Sequence, residues 1–283
     1  MANLSPLRYP GGKDKTYQYI KYLVDENHIT TYIEPFAGGA AVALKLLFNG
    51  DVKKIVINDF DRSIYSLWKT ILLDTERLIQ LIKTTDITID EWYRQKDIQN
   101  NKDTVDELSL AYSTLFLNRT NRSGIIKAGV IGGKGQNGDY KLDCRFNKSD
   151  IINRIRKIAS FSNSIEVHNL DAIDFIKKVI KNTRRSLTFF DPPYYDKGPD
   201  LYTNFYSHED HVELAKTIKS LMRNRYWILT YDIAESIEKL YSNYNLHKYY
   251  LNYSIAKPTK GQEFIFFSKK INPGPIELFL NVI

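Results

Sequence analysis

The run Leu187-Thr188-Phe189-Phe190-Asp191-Pro192-Pro193-Tyr194 passes from mostly apolar residues into an acid, two prolines and an aromatic. A short apolar run bounded by turn formers predicts a buried strand. Neither Pro192 nor Pro193 can extend a helix or pair inside a central strand, so the strand stops at Asp191. A carboxylate then stands at the carboxyl end of a strand, where open α/β sheets place their ligands. The plainer reading is a core strand followed by an ordinary Asp-Pro turn, which is common. The surrounding sequence has to choose between the two.

The residues at that strand end suit one kind of chemistry. An aromatic exocyclic amine is a poor nucleophile, because its lone pair is delocalised into the ring. A site that accepts a hydrogen bond from each N–H turns the lone pair outward. Asp191 offers one acceptor and the Pro192 carbonyl a second, with no proline N–H to compete for it. Tyr194 offers a flat face to a base.

Upstream, Leu7-Arg8-Tyr9-Pro10-Gly11-Gly12-Lys13 is a Gly-rich turn ending in a cation, and a helix is predicted from Lys15 to Val24. Thr31-Tyr32-Ile33-Glu34-Pro35-Phe36-Ala37-Gly38-Gly39 reads as a short strand and a tight turn, followed by an apolar helix from Ala40 to Phe48. Strand, Gly turn and helix make a nucleotide-type binding element. It has no Gly-x-Gly-x-x-Gly and no Gly-Lys-Ser/Thr, so the expected cofactor carries little or no phosphate. A second strand, Lys54 to Asn58, ends at Asp59, about 20 residues beyond the Gly turn, the spacing of an acid that binds ribose hydroxyls.

From residue 62 to 159 the strand-helix alternation breaks. Helices are predicted at Ile64–Ile82, Glu107–Phe116 and Lys148–Ala159. Between the last two, Ile131 to Tyr140 holds four glycines with Lys134, Gln136 and Asn137. This reads as a hairpin tip between β-like runs at Gly124–Ile131 and Tyr140–Phe146. Basic residues with Asn and Gln on such a tip suit groove reading. The alternation resumes at Ser164, with a strand ending near Asp171, then the strand before Asp191 and another at Tyr226–Tyr231. A terminal antiparallel pair is predicted at Tyr249–Ile255 and Glu263–Phe267. Residues 196–207 read as a loop over the site.

Composition sets outer limits. The 283 residues suffice for one large domain or two. No stretch approaches the roughly 18 consecutive apolar residues of a membrane span. Met1-Ala2-Asn3-Leu4-Ser5 lacks the basic-then-apolar pattern of a secretion signal. Cys144 is the single cysteine, which excludes an internal disulfide and fits a reducing cytoplasm. His208 and His211 have no partner at metal-ligand spacing and are expected as surface or capping residues, so no metal is expected. A net charge of +7 and a pI near 9.1 suit a polyanionic partner.

The ordered set Gly11-Gly12-Lys13, Glu34-Pro35-Phe36-Ala37-Gly38-Gly39, Asn58-Asp59 and Asp191-Pro192-Pro193-Tyr194 resembles the DNA adenine methylase (Dam-like) family, alpha group, across essentially the whole chain. Asn118-Arg119-Thr120-Asn121 and Glu263-Phe264-Ile265-Phe266-Phe267 also look like family features. The resemblance implies an α/β fold. A Rossmann-like, mixed, mostly parallel sheet (1–61 and 160–283) would bind S-adenosyl-L-methionine. An inserted, mainly helical DNA-recognition domain with a β-hairpin (62–159) would read the target. It implies that Tyr9, Lys13, Phe36, Gly38, Asp59, Asp171, Ala172 and Asp191 touch the cofactor. It further implies that Asp191, Pro192 and Tyr194 hold a flipped adenine for methylation at N6. Candidate contacts to double-stranded DNA are Arg119, Asn121, Arg122, Lys127, Lys134, Gln136 and Asn137. A membrane partner is not expected, and a cognate restriction endonuclease acting separately is the one protein partner left open.

Two departures matter. Where family members that methylate GATC carry an aromatic-Asn-Gly-x-x-Arg run, this chain has Arg122-Ser123-Gly124-Ile125-Ile126-Lys127. The family's Phe-Asn-Val-Pro-type segment is replaced by Tyr140 to Phe146. Lys for Arg is not a conservative change at a bidentate base contact, so GATC is not carried over as the target. The rivals are methylation of the cytosine N4 amine, methylation of RNA or of a protein glutamine, for which Asn rather than Asp191 is expected, and a non-catalytic DNA-binding module. The last explains the charge but not Asp59, Asp191 and the Gly turn together.

Overall fold

The structure, a computed structural model, describes residues 4–8, 13–195, 206–253 and 259–283. The chain divides into two compact units: Lys13–Phe60 with Ser164–Ile283, and Met1–Gly12 with Asp61–Asn163.

Among the described residues the first unit is built on eight strands: β1 (Thr31–Glu34), β2 (Lys54–Asn58), β3 (Ile165–His168), β4 (Ser186–Phe190), β5 (Tyr226–Asp232), β6 (Asn245–Tyr253), β7 (Thr259–Phe267) and β8 (Asn281–Val282). They form one sheet in the order β3-β2-β1-β4-β5-β7-β6-β8. β1 to β5 run parallel, and β7, β6 and β8 extend the sheet through antiparallel pairings. Every residue of β4 is buried, which is why it reads as a continuous apolar run rather than an alternating one. Strand order reverses between β1 and β4, the kind of position where open α/β sheets bind ligands. The register Ile33↔Thr188 brings the carboxyl ends of both strands, Glu34 and Asp191, to that reversal.

Helices α1 (Tyr17–Glu26) and α2 (Ala41–Phe48) belong to this unit. The second unit holds α3 (Arg62–Leu73), α4 (Thr75–Thr84), α5 (Ile89–Asn100), α6 (Glu107–Thr120) and α7 (Lys148–Ala159). The sheet unit then resumes with α8 (Ala172–Lys178), α9 (His208–Leu221) and α10 (Glu235–Leu240). Phe175, Ile176, Leu214, Ile218 and Ile237 from these last three helices share a core with Phe190, Trp227, Leu229 and Phe266 of the sheet. Ser207 and Asp210 form a capping box that starts α9 where the sequence predicts it.

In the helical unit, α6 is buried along all of Leu110 to Thr120, as a central helix is. The single helix expected over 64–82 is two helices, α3 and α4. The chain breaks at Asp74, whose φ of −138° and ψ of 41° lie outside the helical region. α5 was not expected, because its polar sequence buries only Trp92 and Gln95 and shows no apolar stripe.

The expected β-hairpin is absent among the described residues. Segments 124–131 and 140–146 hold turns, and the bridge there is Asn121↔Val130. Gln136 supplies what a second strand would have. Its amide donates to the Ile131 and Gly133 carbonyls (2.8 and 2.6 Å) and accepts from the Leu142 N–H (2.8 Å).

The expected boundary placed residues 1–61 with the sheet, whereas the first twelve group with the helical unit. The reason is a clamp. Asn118 accepts from the Arg8 N–H and donates to the Arg8 carbonyl, both at 2.8 Å, and its amide also donates to the Gly124 carbonyl at 2.8 Å. Arg119 Nε donates to the Pro6 carbonyl (2.7 Å) and Arg154 to the Ser5 carbonyl (2.9 Å). Gly124 is forced here: its φ is +77°, and a Cβ would lie 2.6 Å from the Arg8 carbonyl oxygen.

Removing Asn118 strands three backbone groups, one buried and two part-buried. Asn118→Ala is therefore expected to cost about 2–4 kcal/mol in urea unfolding, with Asn118→Asp in between because it keeps the acceptor for Arg8 N–H. An Ala variant within about 0.5 kcal/mol of wild type would show that the clamp contributes little.

Candidate active site

Two side chains at the end of β2 shape the Gly turn. Asn58 donates to the carbonyls of Pro35 and Leu170 (both 2.9 Å) and accepts from the Leu170 N–H (2.9 Å), while its own carbonyl accepts from the Ala37 N–H (2.9 Å). One amide thus ties the turn after β1 to the turn after β3. Asp59, half-buried, accepts from the Gly38 N–H at 2.9 Å. Gly38 stands at φ +45°, in the left-handed region where glycine carries no Cβ penalty. The acid and the turn were read from sequence as separate features, and one hydrogen bond joins them.

At the end of β4 lies a cluster of charges. The Lys13 ammonium sits 3.1 Å from Asp191 Oδ1 and 2.9 Å from both oxygens of Glu263, which is fully buried on β7. Tyr194 OH donates to Glu263 Oε1 (2.5 Å) and Tyr249 OH to Oε2 (2.6 Å). Thr230 on β5 donates to Asp191 Oδ1 at 2.6 Å. Burial alone would lower the Lys13 pKa; Asp191 and Glu263 overcome it and hold the ammonium charged, well above the usual lysine range. Burial raises the Asp191 carboxyl, against the opposing pull of Lys13.

The bonds to Asp191 have a consequence for its chemistry. Lys13 and Thr230 both fall on Oδ1, and among the described residues no donor reaches Oδ2. The side chain keeps 28% of its surface exposed. Asp191 is thus pinned by one oxygen and open at the other, which can accept a hydrogen bond from an incoming group.

Tyr194 differs from the expectation. The residue is 5% exposed, and its hydroxyl holds Glu263. Chain direction after the tetrapeptide is set by the Tyr195 N–H, which donates to Asp232 Oδ1 at 2.8 Å. His208 is exposed and meets the Tyr195 hydroxyl at 2.8 Å. His211 corrects the expectation of a surface residue: it is 1% exposed and hydrogen-bonds Tyr231 OH at 2.7 Å, and burial pushes its pKa down to about 4. Among the described residues no group of His, Cys, Asp or Glu is arranged to hold a metal ion, and no helix is long and apolar enough to cross a membrane.

The remaining expected residues fall into distinct places. Lys13 and Asp191 come together, as do Gly38 and Asp59. Phe36 packs edge-on against Tyr206, with ring centroids 5.8 Å apart. Asp171 is exposed and caps α8 through the Ile173 N–H (2.8 Å), with Ala172 buried behind it. Tyr9 and the loop at 196–205 lie outside the described residues.

Among the candidate DNA contacts, Arg122, Lys127, Lys134 and Asn137 are exposed. Arg119 and Asn121 are corrected, being buried and bonded within their own unit. Arg119 belongs to the N-terminal clamp, and burial lowers its pKa to about 10. Asn121 accepts from Trp92 Nε1 (2.6 Å) and donates to the Ile125 and Ile126 carbonyls. Gln136 folds back on its own turn. Glu34, Thr230, Tyr249 and Glu263 were not expected at the site. A Glu opening an apolar run was the available signal for Glu263.

A sheet that reverses between β1 and β4, an acid on the Gly turn and a pinned Asp-Pro-Pro-Tyr define a Rossmann-like methyltransferase. The chain belongs to the D12 class N6 adenine-specific DNA methyltransferase family, whose profile matches residues 9–255. It is 26% identical over 260 residues to Type II methyltransferase M1.LlaDCHI of Lactococcus lactis subsp. cremoris, covering 87% of each chain. It is 25% identical over 268 residues to M.MjaIII of Methanocaldococcus jannaschii, covering 86% of this chain and 89% of that one. A third relative, M.CviBI of Paramecium bursaria Chlorella virus NC1A, is 24% identical over 248 residues, covering 84% of this chain and 86% of that one. The protein is an adenine-specific DNA methyltransferase, moving a methyl group from a donor to the N6 amine.

Glu34 makes the site sensitive to pH. It is 7% exposed, and burial, reinforced by the nearby Asp191 charge, pushes its carboxyl up to about 8, against the Tyr32 hydroxyl and Ala43 amide. Between its ordinary pKa of 4.5 and about 8, the folded protein holds a proton that the unfolded chain releases. Stability from this group is complete below 4.5 and falls as pH rises through 8. The loss is on the order of 5 kcal/mol at about 1.4 kcal/mol per unit. Glu34→Gln cannot ionise, so the wild-type-minus-variant unfolding free energy is expected to drop steadily from pH 5 to 8. A flat difference would mean that Glu34 ionises normally.

Proposed function

We propose that the donor is S-adenosyl-L-methionine and that the adenine reaches it flipped out of duplex DNA. The turn after β1 supports this donor, because it closes on the Asp59 carboxylate and offers no phosphate cradle. Asp59 would accept from the ribose hydroxyls, and Gly38 lets the backbone approach the methionine portion. Phe60, 58% exposed directly after Asp59, gives a flat apolar face to the donor's adenine, which would also border Asp171 and Ala172. Phe36, Lys13 and Tyr9 complete the proposed cofactor set. The donor's sulfonium supplies an electrophilic methyl group.

Asp191 carries the reading. With Oδ1 held by Lys13 and Thr230, Oδ2 is the acceptor for one amine N–H, and the Pro192 carbonyl is the acceptor for the other. Together they turn the nitrogen lone pair toward the methyl group. A fixed acceptor pair needs no reorganisation as charge develops on the amine. A base inside a duplex cannot reach these groups, so it must be extruded. Tyr194 supports the site through its hydroxyl, and stacking of its ring on the base requires the cover over that ring to move.

The sheet unit would perform methyl transfer and the helical unit target recognition, with Arg122, Lys127, Lys134 and Asn137 as the exposed DNA contacts. The relatives are named Type II methyltransferases, and a cytoplasmic role beside a separate restriction endonuclease is part of the same proposal.

Two variants separate donor binding from chemistry. Asp59→Ala loses charge-assisted bonds worth roughly 1.5–3 kcal/mol, so calorimetry should give donor affinity about tenfold weaker or more. Asp191→Ala, assayed by single-turnover methyl transfer to unmethylated genomic DNA at saturating donor, should lose on the order of 100-fold in rate. Near-wild-type transfer by the Asp191 variant would end the proposal that this carboxylate holds the amine.

A further inference from the structure

Ser186 opens β4 and Tyr226 opens β5, and at this amino-terminal end of the two strands lies a cavity of about 450 Å³. Its wall carries five cations, Lys181, Arg184, Arg185, Arg225 and Lys270, and no carboxylate. Among the described residues none of the five makes an ion pair with Asp or Glu. Like charges gathered without a counterion repel one another, and an anion entering the cavity relieves that repulsion.

The gathering is built into the fold. Arg225 donates from Nη1 to the Thr183 carbonyl (2.6 Å) and from Nη2 to the Lys181 carbonyl, which fixes the turn that carries the other cations. Arg185 stands at φ +49°, and its carbonyl accepts from the N–H groups of Thr30 and Thr31 (2.8 and 3.2 Å). Lys270 lies 4.3 Å over the Tyr226 ring.

The wall also says what does not bind. It has no aliphatic side chain for a lipid chain or a sugar face, and its one aromatic ring is covered by Lys270. No free aromatic face is offered to a base. What remains is phosphate presented without its base, as along a nucleic-acid backbone. The five residues of β4, rising about 3.3 Å each, set the cavity roughly 16 Å from Asp191.

We propose that this basic cavity is a second DNA contact, one that binds backbone phosphates away from the reacting amine. It holds the enzyme on DNA irrespective of sequence.

The test is the salt dependence of binding to a long duplex that offers no methylatable adenine. Each phosphate contact contributes about 0.9 to the slope of log affinity against log salt. Lys181→Ala/Arg184→Ala/Lys270→Ala spares the two residues that hold the turn. It should flatten the slope by about 2–3 and weaken low-salt affinity tenfold or more, with thermal unfolding and donor binding unchanged. Arg184→Ala alone, should the triple variant fold poorly, should flatten it by about 1. A wild-type slope in the folded variant overturns the proposal. It does so equally if the variant loses stabilisation by tripolyphosphate while its affinity for DNA stays that of the wild type, because that marks a small-anion site.

Discussion

An ammonium group taken out of water is tolerated only when anions replace its hydration. Lys13 meets that condition with two carboxylates, Asp191 at 3.1 Å and Glu263 at 2.9 Å. Breaking such a buried set by removing one member leaves an uncompensated charge and costs several kcal/mol, although the intact set adds little net stability. Its value lies in specification. Lys13 can occupy that position only if the ends of β4 and β7 are both in place, and Asp191 can present Oδ2 outward only while Oδ1 is occupied.

The antiparallel extension of the sheet is therefore part of the site. Glu263 comes from β7, and Tyr249, which satisfies its second oxygen, comes from β6. Thr230 from β5 gives the remaining bond to Asp191. On the other side of the reversal, Asn58 and Asp59 fix the Gly turn with their own bonds. The proposed acceptor for the amine and the proposed turn for the donor flank one topological switch point, each held by side chains from neighbouring strands.

Much of this was legible in the sequence, because the signals are local. Asp191 follows an apolar strand and precedes two prolines, and Asp59 ends a strand at ribose-acid spacing. The bonds that fix these residues are not local. Lys13 and Glu263 are separated by 250 positions, and nothing near either names the other. Arg119 and Asn121 were grouped with DNA contacts because polar side chains on a recognition segment read that way. Arg119 proves to bond the Pro6 carbonyl, and Asn121 the carbonyls of Ile125 and Ile126. α5 escaped because its polar sequence buries two residues only, and the hairpin was overread because the amide of Gln136 replaces a strand's worth of bonds. The basic cavity draws on Lys181 to Arg185, Arg225 and Lys270, three separate segments whose charges look like solvated surface until the fold gathers them.

The central claim is that Lys13 and Glu263 act as one unit that positions Asp191. A double-mutant cycle on unfolding free energy tests it most directly. Lys13→Met and Glu263→Gln should each cost about 3–5 kcal/mol, since the first leaves Glu263 without its cation and the second leaves the buried ammonium with Asp191 as its one remaining carboxylate. The double variant removes both charges together and should be more stable than the sum of the two losses by at least about 2 kcal/mol. Additivity within about 0.5 kcal/mol would mean that the two residues act independently, and that the cluster does not hold Asp191 as described.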